Sequence, residues 1–208
     1  MLGPINKTLD LVITVLQPPR KALRRRSFAE LSTALGVVLS EEDRSNLIAL
    51  PTLEEDNKSD VSEVAVALEA KACMTEHVKS LPRLHAEILA TGYLAKKASP
   101  HCITVSYSLV NCASTFVTPS GKTKVNRHNQ PEDARRVVDM IAQAVPIKAD
   151  SRDYGYDVVG VTTIECQNNG SQVRVFDDPQ VAPGLNERTR YERMIRNLCS
   201  EFRGRFAR

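Results

Sequence analysis

Thr118-Pro119-Ser120-Gly121-Lys122-Thr123 ends in the Gly-Lys-Thr of a phosphate-binding loop. That loop needs a glycine five residues before the Gly-Lys pair, so that backbone amides can wrap the phosphates. Phe116 stands there and no long helical pattern follows Thr123, so the segment reads as a hairpin turn with an exposed lysine. Asp157, Glu165 and Gln167 have the residue types of the acidic pair and following polar residue in metal-dependent nucleases. A shared metal ion needs both carboxylates within a few ångströms. One extended strand from Val158 to Cys166 would hold them about 26 Å apart. Asp150, Asp153 and Asp157 crowd around Tyr154-Gly155-Tyr156 without the alternating ligands and closing glutamate of a calcium loop, which makes a solvated turn. Cys102 and Cys112, with His101 and His128, make a zinc set in residue type alone. There is no Cys-x-x-Cys, and a continuous strand would separate the two thiols by about 33 Å. The sequence therefore predicts neither metal nor cofactor, and a binding protein rather than an enzyme.

Arg24-Arg25-Arg26-Ser27-Phe28 carries different chemistry. Two arginines shortly before a serine resemble a basophilic kinase site, and phosphate on Ser27 would sit at a helix N-terminus beside cations. Ser27 is the phosphorylation candidate; as an N-cap alone it would be equally well placed.

The charge layout supplies the binding expectation. The net charge is only +3, but Arg20, Lys21, Arg24, Arg25 and Arg26 form a basic cluster, followed by an acidic stretch from Glu41 to Glu69. The C-terminus is basic again, with Arg190, Arg193, Arg196 and Arg203 interleaved with a stripe of Tyr191, Met194, Ile195, Leu198, Phe202 and Phe206 at helical spacing. Arginine at each of these positions suits bidentate phosphate contact. The expected partner is RNA or another polyanion, including an anionic membrane surface, gripped by both Arg segments with a steep salt dependence. The same polarity lets one subunit's basic end meet another's acidic middle, so a homo-oligomer is expected. In layout this suits a viral structural or accessory protein of matrix or coat type, by analogy alone. Two alternatives stand beside it: an adaptor docking through the last helix, and a metal-dependent nuclease or hydrolase.

The elements that must carry these residues follow from periodicity. Apolar content of 42% and charged content of 25% describe a globular chain; aromatics are only 5%, with no Trp. Five cysteines in apolar segments without framework spacing read as buried, reduced thiols, which predicts a cytosolic or nuclear protein. The apolar run Leu9 to Leu16 is too short to cross a bilayer, so no transmembrane segment is expected. That run fits a helix or a strand. Ser27 with Glu30 is a capping box, and Ser40 with Asp43 repeats the device. Residues 52–60 read as an acidic loop. Val61, Val64, Leu68 and Ala72 have helical spacing, and Leu84 and Ile88 mark a further helix after Pro82. Past Pro100 the period becomes two: Ile103, Val105, Tyr107 and Leu109 form a strand, as does Thr115 to Thr118. Pro131 opens a helix with Ala134, Val137, Val138, Ile141 and Val145 on one face. Val158 to Cys166 is a strand, joined through the Asn168-Asn169-Gly170 turn to Val173 to Phe176. The expected fold class is α+β: a mainly helical region over 1–97 with basic cluster and acidic linker, then an α+β domain over 98–208. The second has the order β-β-α-β-β-α, with a small antiparallel sheet, flanking helices and the Arg-rich C-terminal helix.

Overall fold

The structure is a computed structural model; it describes residues 9–15, 24–50, 53–55, 63–118, 124–144 and 155–206. Lys122, Thr123, Asp150, Asp153, Val145, Arg20 and Lys21 lie outside them. The chain divides into two compact units, one of Met1–Thr14 with Glu63–Arg208, the other of Val15–Ser62.

The smaller unit holds β2 (Arg24–Arg26), α1 (Phe28–Ala34), α2 (Glu41–Ile48) and β3 (Leu53–Glu55). Ser27 Oγ accepts from Glu30 N at 3.1 Å while Glu30 Oε2 accepts from Ser27 N at 2.8 Å, the expected capping box. Ser40 caps α2 in the same way, through Asp43 N at 3.1 Å. β2 and β3 pair antiparallel, which sets Arg24 across from Glu55 and Arg25 across from Glu54.

The larger unit is built on a sheet of order β1-β4-β5-β8-β9. Its strands are β1 (Leu11–Val15), β4 (Glu63–Cys73), β5 (Ile103–Asn111), β8 (Val158–Glu165) and β9 (Arg174–Val175). β4, β5 and β8 run parallel, and β9 is antiparallel to β8 across a turn with Asn168 and Gly170 at positive φ. The sheet is therefore mixed, not antiparallel as expected. The physical reason lies in the crossovers. α3 (His77–Ala98) returns the chain from the end of β4 to the start of β5. α4 (Glu132–Ala144) does the same between β5 and β8, after the small β6–β7 ribbon (Thr115–Val117, Val125–Arg127). A helix between two strands brings them in parallel.

The expected N-terminal helical arrangement is also corrected. Residues 63–73, assigned helical spacing from Val61, Val64, Leu68 and Ala72, form β4, and α3 begins at His77 with Pro82 inside it. Ala65, Val66 and Ala67 are consecutively buried. A parallel strand covered on both faces loses its period-two signature, and alanines imitate a helix face. On one face of the sheet, Leu84 and Ile88 of α3 and Ala134, Val137, Val138 and Ile141 of α4 pack with Cys73, Val110, Val159 and Val161. On the other, Met194, Leu198, Phe202 and Phe206 of α5 (Tyr191–Phe206) cover Val66, Ile103, Val105 and Val158. Among the described residues no helix is long and apolar enough to cross a membrane. All five cysteines are thiols; Cys199 is exposed rather than buried.

Candidate functional site

Glu69 and Lys71 stand two residues apart on β4, so an extended backbone turns both side chains to one face. That face is covered by α3: Cys73 Sγ, next in the same row, lies 3.5 Å from Ser80 Oγ of that helix. Glu69 is only 2% exposed. Its Oε1 accepts a hydrogen bond from Lys71 Nζ, which also lies 3.7 Å from Glu87 Oε2 on α3. The other Glu87 oxygen is 3.6 Å from Arg83 Nε. Asp10, just before β1, lies nearby: its Oδ2 accepts at 2.7 Å from the backbone N of Ala70, the residue between Glu69 and Lys71. Burial alone would lower the Lys71 ammonium pKa. The hydrogen bond to Glu69 and the charges of Glu69, Glu87 and Asp10 outweigh this and raise it, so Lys71 is a firm cation.

The charges around Lys71 are the buried Glu69, the half-buried Glu87 and Asp10. Hard divalent cations such as Mg2+ are held by one or two carboxylates, with water and substrate oxygens completing the shell. Among the described residues no three His, Cys, Asp or Glu side chains converge as a ready-made metal cage. A cation would have to compete with Lys71 for the Glu69 carboxylate, whose Oε1 already accepts from Lys71 Nζ. Tyr156 is buried against this region and its ring packs on Gly92, where an added Cβ would stand 3.0 Å from Tyr156 Cε2. Burial and the nearby Glu69 charge raise the Tyr156 hydroxyl far above its usual pKa, so it remains a neutral donor.

Sequence reasoning missed this site because it assigned residues 63–73 to a helix. There, positions 69 and 71 diverge by about 200°; on a strand they coincide. The usable signal was the unbroken apolar run from Val64 to Leu68, the mark of a strand buried on both faces, running into Glu69-Ala70-Lys71.

The sites named from sequence fall elsewhere. Asp157 and Glu165 flank or end the same strand, β8, and are engaged separately. Asp157 accepts from Thr104 N at 2.8 Å and Thr104 Oγ1 at 3.0 Å, and pairs with Lys96 Nζ at 2.5 Å and Arg205 Nη2 at 2.8 Å. Burial alone would raise this carboxyl; the bonds from Arg205, Lys96 and Thr104 reverse that and hold it far below the usual range. It is a buried clamp joining the ends of α3 and α5 to β5 and β8. Glu165 pairs with Arg174 at 2.9 Å. Cys102 and Cys112 bracket β5 at opposite ends. Burial raises the Cys73 thiol, and Cys112 to about 12, which leaves neither a nucleophile at neutral pH. His128 donates from Nδ1 to Ala113 O at 2.8 Å and accepts at Nε2 from Thr75 Oγ1 at 3.2 Å, and its ring meets His77 edge-on at 4.7 Å.

Of the arginines expected to bind a polyanion, Arg190 is bound to Asp177, to Glu192 at 2.9 Å and to Pro183 O at 3.2 Å, beside a cleft of 370 Å³ lined by Tyr107 and Tyr191. Arg193 donates to Asn186 Oδ1 at 3.1 Å. Arg196 and Arg203 are exposed on α5. The sequence matches no protein-family model, and no curated protein or solved structure is significantly similar to it.

Proposed function

We propose that the chain is a divalent-metal-dependent phosphodiesterase acting on nucleic acid, with Asp10 and Glu69 holding the cation and Lys71 facing the reacting phosphate. The observation that supports this reading is that Asp10 Oδ2 accepts from the backbone N of Ala70, the residue between Glu69 and Lys71, whose side chains bond one another. Asp10 and Glu69 would hold the metal, which would supply polarisation of a phosphoryl oxygen and a more acidic bound water. Lysine adds a preorganised positive charge for the transition state. The test is cleavage of labelled DNA and RNA with Mg2+ or Mn2+. Wild-type cleavage should stop with chelator, and Glu69→Gln should lose at least about a hundredfold in rate with its thermal unfolding intact. No cleavage by the wild type of any nucleic acid offered, or equal cleavage by Glu69→Gln, rejects the reading.

A second reading is a non-catalytic, self-associating binder of RNA or another polyanion, of the matrix or coat kind. Exposed Arg196 and Arg203 on a helix whose apolar side is already docked favour it. Unchanged retention on RNA or heparin after Arg193, Arg196 and Arg203 become Ala would end it. The adaptor reading has less support, since Met194, Leu198, Phe202 and Phe206 of the α5 stripe cover the chain's own sheet, leaving Tyr191 and Ile195 exposed.

A further inference from the structure

α3 carries Lys79, Arg83, Lys96 and Lys97 in its 22 residues, against a single carboxylate, Glu87. Lys79, Arg83 and Glu87 follow one another at four-residue steps, so they share one face and stand about 6 Å apart along the axis. The row begins at the site: Glu87 touches Lys71 through Oε2 and Arg83 through Oε1. It runs outward to solvent, the side chains of Arg83 and Lys79 each being 79% exposed. Of the other two cations, Lys96 is buried on Asp157, and Lys97 is exposed in the last turn of the helix, 5.9 Å over the Tyr93 ring. Glu76 lies 3.1 Å from Lys79, but that contact is between exposed groups and contributes little.

We propose that Arg83 and Lys79 form a backbone track for a nucleic-acid strand, binding the phosphates on one side of the phosphate held at Lys71. This rests on the reading of Asp10, Glu69 and Lys71 as the hydrolytic site. It assigns the substrate as a polymer rather than a small phosphodiester, because the cations continue outward beyond the reacting position. Each nucleic-acid strand carries one charge per about 3.4 Å of axis, so consecutive cations about 6 Å apart can serve phosphates of one strand. The track lies on α3, not on the Arg segments that the charge pattern alone picks out.

The test is fluorescence anisotropy of a short fluorescein-labelled oligonucleotide, single-stranded and duplex, titrated with the full-length protein in EDTA over a range of salt. Arg83→Ala and Lys79→Ala should each weaken binding several-fold and reduce the slope of log affinity against log salt by about one. Lys97→Ala on the same helix should bind as the wild type does. Equal affinity and slope in wild type, Arg83→Ala and Lys79→Ala, an equal loss in Lys97→Ala, or no wild-type binding overturns the proposal. Cleavage by the same proteins keeps the two ideas apart. Binding through Arg83 and Lys79 without metal-dependent cleavage sinks the hydrolytic reading alone, whereas normal cleavage with binding indifferent to both substitutions sinks the track alone.

Discussion

The Asp10 carboxylate accepts a hydrogen bond from Ala70 N at 2.7 Å, across 60 residues of sequence. It thereby caps a backbone donor of β4 and places a carboxylate whose charge acts on Lys71.

Those two roles of Asp10 separate by substitution. Asn keeps an oxygen able to accept from Ala70 N, whereas Ala leaves that donor to water. Asp10→Asn should retain its melting temperature yet lose metal-dependent cleavage, and Asp10→Ala should also lose about 1 kcal/mol of stability. Calorimetry beside the cleavage assay checks this; full activity in Asp10→Asn removes Asp10 from the site.

Lys71 neutralises a carboxylate that is 2% exposed. Lys71→Met should cost about 2 kcal/mol, less than a fully buried pair because Lys71 reaches solvent. Millimolar Mg2+ should then raise the melting temperature of Lys71→Met more than that of the wild type, since a cation replaces the lost charge. Equal shifts in the two proteins would count against a cation at Glu69.

Asp157 makes stability depend on acid. Its folded pKa lies below the unfolded value of about 3.9, so its contribution is complete above pH 4 and is lost as pH falls through the folded value. Urea unfolding at pH 5, 3 and 2 should show this decline. In Asp157→Asn the decline should be smaller, with a cost of about 3 kcal/mol at neutral pH because Lys96 stays buried without its counter-charge.

His77 acts in a separate window. Burial lowers its pKa, the hydrogen bond with Asn111 O raises it in part, and neighbouring His128 lowers it further. Its stability contribution is therefore complete above the unfolded value of about 6.5 and declines as pH falls below it. His77→Gln should flatten the stability curve between pH 6.5 and 5 and leave the loss below pH 4 in place.

Gly160 sits in an unbroken β8, where a Cβ would stand 2.1 Å from Met194 Sδ and 3.2 Å from Tyr107 Cδ2. Gly160→Ala should cost about 2–3 kcal/mol by forcing α5 off the sheet. Met194→Ala should remove most of that penalty, and a double-mutant cycle by chemical denaturation measures the coupling. Additive effects would show that α5 is not held at this contact.

Local signals are legible in this sequence wherever a few neighbouring residues decide the outcome. The Ser27 and Ser40 caps, the Asn168–Gly170 turn, the strand at Ile103 and the apolar face of α4 each depend on chemistry within about four residues. The final helix is legible too, since a stripe from Met194 to Phe206 can satisfy only a helix packed on one side. The strand that carries the site is not. Burial on both faces removes the alternation of β4, and its alanines and charges fit a helix equally well, so the parallel sheet and the pairing of Glu69 with Lys71 stayed hidden.

By itself, then, the sequence determined the caps, turns and amphipathic faces, and a C-terminus rich in arginine. Tertiary structure alone decided strand direction and which charges meet. Arg190 and Arg205 are drawn into internal ion pairs, while Lys71, Glu87, Arg83 and Lys79 line up across one strand and one helix. The physical reason is that charge pairing depends on distance through space, and only the crossover from β4 through α3 to β5 sets that distance.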